Sequence, residues 1–204
     1  DDIITGGAGN DTLDGGDGSD VYKVGAGAGY DGYKDTGTTG TDTILATADN
    51  VAIGLGSAFN AVSGIEAISA GGHAGVTIAG TAVNNSFVFT GTTLTGIGAI
   101  DGGAGNDSIT GSAGADTIIG GAGNDTLNGG DGGDTYLVGL GAGLDAIKDT
   151  GATGTDSILA TADNTVYAYD ADDASVTEPY WTNSLNHPPN IISPNREDMS
   201  AIGA

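Results

Sequence analysis

The chain has 204 residues, 40 of them glycine, and 27 acidic residues against four basic ones give it a formal net charge of -23. So few cations cannot neutralise a nucleic-acid backbone or hold an anionic membrane surface. We therefore expect no nucleic-acid binding. No apolar run reaches the roughly 20 residues that span a bilayer, so we also expect no membrane insertion. The absence of cysteine excludes disulfides and thiol chemistry.

Residues 1–50 carry a nine-residue repeat. Residues 6–14 read GGAGNDTLD, residues 15–23 read GGDGSDVYK, and Asp1–Thr5 matches the end of another unit. The shared pattern is G-G-x-G-x-D-x-U-x, where U is a large apolar residue. The glycines allow a tight turn because they tolerate positive φ, and x-U-x is a minimal strand with U pointing inward. The acidic position recurs at Asp2, Asp11 and Asp20 and, with a spacing of 11, at Asp31 and Asp42.

Residues 51–100 lack this acidic position and are rich in alanine, valine, isoleucine and threonine. The stretches 75–81 and 85–94 predict short strands, and 63–72 predicts a short helix. We interpret the segment as a metal-poor spacer in the same stack, with Asn85 in the aspartate position and an interior built from Val76, Ile78, Phe87, Phe89, Ile97 and Ile100. The alternative is a small separate β-domain.

Residues 101–164 repeat the pattern in four consecutive units, beginning with GGAGNDSIT at 102–110. The acidic positions are Asp107, Asp116, Asp125 and Asp134, followed at the wider spacing by Asp145 and Asp156. Residues 16–50 also align with 130–164, with 26 of 35 positions identical, so the chain holds one and a half copies of a 114-residue module.

Two units of 18 residues make one coil of a parallel stack, with the turns in two columns. Aspartates one coil apart then lie at the strand spacing of about 4.8 Å, where like charges repel unless a cation separates them. Calcium suits such a site because it takes several oxygen ligands in irregular geometry. The predicted pairs are Asp107 with Asp125, Asp116 with Asp134, Asp2 with Asp20, and, across the wider coils, Asp11 with Asp31 and Asp125 with Asp145.

Isolated aspartates also terminate turns by accepting backbone N–H bonds, and this is the alternative for every one of them. It does not account for recurrence every nine residues with the U position kept. For Asp14, Asp17, Asp101 and Asp131, whose side chains stand at other motif positions, solvated turn residues are the favoured interpretation.

These repeats resemble the RTX family of calcium-binding nonapeptide repeats. The resemblance implies an all-β parallel β-roll, or β-solenoid, with several Ca²⁺ ions stacked between its turns. It also implies that carbonyl oxygens at the first and third motif positions bind calcium together with the aspartates. Those positions are Gly6, Ala8, Gly15, Asp17, Gly102, Ala104, Gly111, Ala113, Gly120, Ala122, Gly129 and Asp131. Ser112 departs from the second glycine of the motif.

Each unit supplies one core residue, the U residue. These are Ile4, Leu13, Tyr22, Tyr33, Ile44, Ile109, Ile118, Leu127, Tyr136, Ile147 and Ile158. One apolar residue in nine cannot offset a backbone entropy cost of about 1–2 kcal/mol per residue, so we expect metal binding to contribute to folding directly.

Residues 165–204 stop matching the long repeat and hold all four prolines and the single tryptophan. A solenoid needs an atypical end segment, so a cap or packing arm is the first interpretation. The alternatives are an uncleaved C-terminal secretion signal, as the family resemblance implies, and an artificial extension.

No spacing typical of a nucleophilic, zinc or phosphate-binding active site occurs in the sequence, so we do not expect an enzyme. The resemblance implies one-step (type I) export to the outside of a bacterial cell, where calcium is abundant. Two functions remain: a structural module of a surface layer, adhesin or filament, with possible self-association or neighbouring modules, or the C-terminal module of a secreted protease, lipase or alginate epimerase.

Overall fold

The structure, a computed structural model, describes residues 1–161, 166–169 and 190–192. These residues form a β-solenoid of short parallel strands, as predicted. The only helical element in these ranges is a single 3-10 turn at Ala61–Ser63. The strands, in chain order, are β1 Ile3–Ile4, β2 Thr12–Leu13, β3 Val21–Val24, β4 Tyr30–Tyr33, β5 Thr43–Ala46, β6 Ala52–Leu55, β7 Ala58–Phe59, β8 Ala67–Ser69, β9 Thr77–Ala79, β10 Ser86–Val88, β11 Thr93–Thr95, β12 Ile100–Asp101, β13 Ser108–Thr110, β14 Thr117–Ile119, β15 Thr126–Asn128, β16 Thr135–Val138, β17 Ala146–Ile147, β18 Ser157–Ala160, β19 Val166–Tyr169 and β20 Asn190–Ile192.

Three parallel sheets form the sides of the solenoid. The shared sheet runs through the whole stack in the order β2-β4-β6-β9-β12-β14-β16-β18. The N-terminal sheet has the order β1-β3-β5-β8-β11, and the C-terminal sheet has the order β7-β10-β13-β15-β17-β19-β20. Each repeat block therefore uses the shared sheet and one partner sheet, and the partner changes between the two blocks.

The coils between the blocks have three sides. The chain passes from β6 in the shared sheet to β7 in the C-terminal sheet and β8 in the N-terminal sheet before it returns with β9. Two-strand coils with two columns of turns, predicted from the 18-residue period, therefore describe the blocks and not the middle. The reason is coil length, since Ile3 pairs with Val21 in the first block, whereas Ala67 pairs with Thr93 in the middle.

The stretch 63–72 does not form the predicted helix. Its residues Ala67–Ser69 are β8, which pairs with both β5 and β11. Ile68 lies fully buried opposite Ile44 and Leu94, so pairing within the sheet and burial override a weak local preference. The strands of residues 51–100 belong to the sheets of both blocks, while the proposed division at residues 50, 100 and 164 remains a prediction.

The interior is lined by the U residues, which stack in one column along each sheet of the solenoid. Every predicted U residue is buried except Ile4 and Leu13, which lie in the first coil and are only partly covered. In the middle segment Val76, Ile78, Phe87, Phe89 and Ile100 are buried, and Ile97 is partly buried.

Most of residues 165–204, for which a cap, a packing arm or a secretion signal is predicted, lie outside the described residues. The backbone of β19 pairs with β17, and β20 pairs with β19, so both extend the C-terminal sheet.

Candidate metal centres

The glycines of each unit place its aspartate at the entrance of a strand. In the unit that begins at Gly102, Gly103 and Gly105 have φ values of 94° and 123°, a region that L side chains rarely adopt. The turn closes on Asp107, and β13 begins at the next residue. Because the same turn recurs in register, the aspartates of successive coils lie above one another.

In most of these aspartates, a backbone N–H of the preceding coil donates to one carboxylate oxygen. The N–H of Asp107 donates to Oδ1 of Asp125 at 2.7 Å, and that of Asp116 donates to Oδ1 of Asp134 at 2.8 Å. The same contact joins Asp2 to Asp20, Asp11 to Asp31, Asp20 to Asp42, Asp125 to Asp145 and Asp134 to Asp156. The structure thus places every predicted pair in register and forms four aspartate columns: Asp2-Asp20-Asp42, Asp11-Asp31, Asp107-Asp125-Asp145 and Asp116-Asp134-Asp156.

The second carboxylate oxygen is buried without a hydrogen-bond partner in five of these residues. They are Asp11, Asp20, Asp107, Asp125 and Asp134. An unpaired buried polar atom costs about 1–3 kcal/mol, and more when it is charged. A cation beside these oxygens removes that cost.

In two turns a carbonyl oxygen of the next coil lies close to the Oδ2 atom of the aspartate. The position that a Cβ would take on Gly102 is 2.5 Å from Asp107 Oδ2 and 2.5 Å from the carbonyl oxygen of Gly120. At Gly111 the equivalent position is 2.7 Å from Asp116 Oδ2 and also adjoins the carbonyl of Gly129. The first motif position therefore has no room for a side chain, and carboxylate and carbonyl oxygens converge there.

One carbonyl of the third motif position already has a protein partner. The carbonyl of Ala122 accepts the N–H of Gly105 at 2.8 Å, which leaves one lone pair for a metal ion. The wider set of predicted carbonyl ligands stays a prediction.

Burial and like charges make these carboxylates hard to ionise. Burial, together with nearby Asp116, Asp149 and Asp156, raises the pKa of Asp134 to about 7, and burial raises the pKa of Asp145 to about 6. Burial also raises the pKa of Asp107, Asp116, Asp125 and Asp42. A bound cation would favour the charged forms, and an all-oxygen donor set suits calcium, which takes about 6–8 oxygen ligands.

Ser112 changes the chemistry of one turn. Its N–H and its hydroxyl donate to Asp116 Oδ2 at 2.7 and 2.9 Å. The departure from glycine therefore affects Asp116 itself, because the serine hydroxyl adds a donor to its carboxylate. Asp116 is correspondingly not one of the five residues with an unpaired oxygen.

Asp17 and Asp131 are exposed, as expected for solvated turn residues. Asp17 accepts the N–H of Thr38 at 3.0 Å, and Asp131 accepts that of Ala152 at 2.8 Å. Their side chains therefore brace the next, longer turn. For calcium binding, the role that the family resemblance implies for Asp17 and Asp131, this leaves their backbone carbonyl oxygens.

Three acidic residues near the columns were not predicted from the sequence. Asp35 lies with Asp20 and Asp42, and Asp149 lies with Asp134 and Asp156, in groups whose ligand oxygens are all within 4.8 Å of one another. Glu66 accepts the N–H of Asp42 at 2.8 Å and so extends the first column by one coil. The signal for Asp35 and Asp149 was the sequence KDTG, which recurs at 34–37 and 148–151.

The motif, the register and the buried carboxylates agree with the comparison to known families. The family model of the RTX calcium-binding nonapeptide repeat matches residues 1–30 and 101–136, in four copies. These two segments are RTX repeats. They make up about a third of the chain. No significant match was found among curated proteins or among solved structures.

RTX repeats in a parallel β-solenoid fit a calcium-binding structural module. RTX repeats occur in secreted proteins. Within the described ranges, no helix has the length and apolar character required to cross a membrane.

Proposed function

We propose that this chain is a calcium-dependent structural module of an exported bacterial protein, and that it folds when it meets calcium outside the cell. The observation that carries the proposal is the set of buried, unpaired Oδ2 atoms at Asp11, Asp20, Asp107, Asp125 and Asp134. Each lies in a column of stacked aspartates, and in its ionised form such a column needs a cation to compensate its charge.

The balance of energies supports coupling between binding and folding. A fully buried U residue contributes about 1.5–3 kcal/mol. The nine residues of its unit lose about 1–2 kcal/mol each in backbone entropy, so calcium binding has to supply much of the remainder. At low calcium the net charge of -23 keeps the chain expanded and soluble, which suits export as an unfolded chain.

Within this class we favour a stiff spacer in a surface layer, adhesin or filament at the bacterial cell surface. The 114-residue repeat supports this choice, because repeated modules add length. The other function considered, a C-terminal module of a secreted enzyme, uses the same calcium chemistry. Electron microscopy after calcium addition separates the two, since ordered assembly supports the spacer and a monomer at millimolar calcium counts against it.

Calcium titration followed by circular dichroism and calorimetry tests the proposal. Addition of calcium to the chelated protein should produce a cooperative β-sheet signal, with heat from several bound ions, and magnesium at equal concentration should produce much less. A β-sheet signal that is the same with chelator and with calcium would overturn it.

A further inference from the structure

Two buried groups of three carboxylates differ from the other aspartate pairs. Asp20, Asp35 and Asp42 form the first group, and Asp134, Asp149 and Asp156 form the second at the equivalent positions of the long repeat. In each group a third carboxylate, from outside the nine-residue motif, joins two aspartates of one column. All six residues are buried.

A tyrosine holds the third carboxylate of each group in place. The Tyr22 hydroxyl accepts the N–H of Gly15 at 2.8 Å and donates to Asp35 Oδ1 at 3.0 Å. The Gly37 N–H donates to the other oxygen of Asp35 at 2.9 Å. The N–H of Gly16 also donates to Asp35 Oδ1, so three protein groups hold this carboxylate in the folded chain.

The second copy repeats the tyrosine and the turn contact, whereas the N–H of Gly130, the counterpart of Gly16, donates to Asn128 Oδ1 at 3.2 Å. The Tyr136 hydroxyl accepts the N–H of Gly129 at 2.5 Å and donates to Asp149 Oδ2 at 2.7 Å, while the Gly151 N–H donates to Asp149 Oδ1 at 2.8 Å. Tyrosine therefore replaces isoleucine or leucine at the U position in the two units that carry a third carboxylate. Two separate parts of the chain have built the same site.

Each group also contains an oxygen without a protein partner. Asp20 and Asp134 are both 0% exposed, and the Oδ2 atom of each lies buried without a hydrogen bond. The Oδ1 atoms of the same two residues are occupied by the N–H groups of Asp2 and Asp116. The unpaired oxygen therefore belongs to a residue that faces two further carboxylates.

We propose that these two groups are a second class of calcium site, in which three carboxylates bind one ion and fill at lower calcium than the two-carboxylate turns of the repeats. Calcium affinity in proteins rises with the number of charged ligands and with the rigidity of the site, and these groups have the advantage in both. The inference rests on the proposed calcium-dependent function. It adds that Asp35 and Asp149 are calcium ligands.

The test uses the full chain and isothermal titration with calcium alone. The wild type should show two tight equivalents followed by a weaker class, with dissociation constants that differ by about tenfold or more. The double variant Asp35→Asn and Asp149→Asn should lose the tight phase and keep the weaker class. The control Asp14→Asn and Asp49→Asn removes two exposed charges and should leave both classes unchanged.

A second variant covers the case in which the asparagines prevent folding. Tyr22→Phe and Tyr136→Phe keep all six carboxylates and release the braced one, so the tight phase should weaken by several-fold while the number of ions stays the same. Unchanged tight binding in both double variants would overturn the inference and leave the proposed function intact. A wild type that binds no calcium would overturn the proposed function instead.

Discussion

The repeat turns and the middle segment belong to one stack of strands but are stabilised in different ways. In the turns, Asp107 and Asp125 bury carboxylate oxygens that no protein group satisfies. In the middle, Asn85 occupies the same column directly before Asp107, and its Oδ1 accepts the Thr81 N–H at 3.0 Å while its Nδ2 donates to the Gly56 carbonyl at 3.4 Å. An amide in this position is satisfied by the protein alone, whereas the ionised carboxylates of Asp107 and Asp125 keep an oxygen that a cation would satisfy.

The interior of the middle segment is also more apolar than the interior of the repeats. The middle contains all three phenylalanines of the chain, and Phe89 packs against Phe59 and Phe87 with ring centroids 5.2 and 6.2 Å apart. The coils of the middle have strands in three sheets, whereas the repeats have strands in two and bury one U residue for each unit. In the proposed function, one solenoid would combine coils stabilised by an apolar core with coils stabilised by bound ions.

Removal of calcium should produce the largest contrast between the two regions. With chelator, the amides of residues 102–136 should lose all protection from hydrogen exchange. The stacked carboxylates there repel one another, and each unit buries only one apolar residue. Residues 51–100 should retain more protection than either block. If protection is lost equally, or retained equally, in both regions, then the two regions do not differ in their dependence on calcium.

Substitution of a shared aspartate should have the next largest effect. Asp125 pairs with both Asp107 and Asp145, so Asp125→Asn weakens two sites at once while an amide oxygen can still accept the Asp107 N–H. At calcium about 100-fold above the dissociation constant, each filled site contributes about 2.7 kcal/mol, so the variant should lose up to about 5 kcal/mol of unfolding free energy.

Urea denaturation in calcium measures the loss caused by Asp125→Asn. Asp14→Asn, an exposed residue outside the columns, is the control and should change stability little. Equal stability of the two variants would contradict the role of Asp125.

Acid should partly replace calcium in the ion-free chain. Because the folded-state pKa of Asp134 is raised to about 7 and that of Asp145 to about 6, both groups favour folding in their protonated form. This stabilisation is fully present below about pH 4, the ordinary range of aspartate, and is lost as the pH rises through 6 and 7.

Circular dichroism of the chelated protein between pH 8 and pH 4.5 should therefore show increasing β-structure as the pH falls. The double variant Asp134→Asn and Asp145→Asn should show a smaller change of β-structure with pH. This comparison distinguishes the protonation of these two residues from the general loss of negative charge at low pH. A signal that stays flat over this range would argue against the raised pKa values.

The nine-residue period predicted the fold and the aspartate pairs because it fixes both the turn and the register. The pairing of Asp107 with Asp125 follows from an 18-residue coil alone. The three-sided middle has no such period, so its coil lengths depend on packing around residues such as Phe59 and Phe87. Asp35 and Asp149 lie 13 residues after the tyrosines that hold them, and only the folded path of the longer turn brings each pair together.

Conversion of Asn85 to aspartate would extend the ion-dependent region by one coil. The change Asn85→Asp removes the donor to the Gly56 carbonyl and puts a second carboxylate beside Asp107. The ion-free chain should lose about 1–3 kcal/mol of stability, and calcium should restore part of it. Urea denaturation with and without calcium measures both effects, and equal losses in the two conditions would show that no ion enters between residues 85 and 107.

The smallest expected effect concerns Ser112. In its turn, as at Asn85 in the middle segment, protein groups hydrogen-bond the side chain in the aspartate position. The hydroxyl and N–H of Ser112 satisfy Asp116 Oδ2, so this turn depends less on an ion than its neighbours do. Ser112→Gly restores the motif and should raise the calcium affinity of this turn a few-fold, because Asp116 Oδ2 loses the hydroxyl donor that competes with the ion. Ser112→Ala removes the hydroxyl and keeps the backbone restricted, so a gain in affinity in both variants assigns the effect to the hydroxyl. A gain with glycine alone would assign it to the turn backbone, and no gain in either would mean that Asp116 binds calcium as well with the serine as without it.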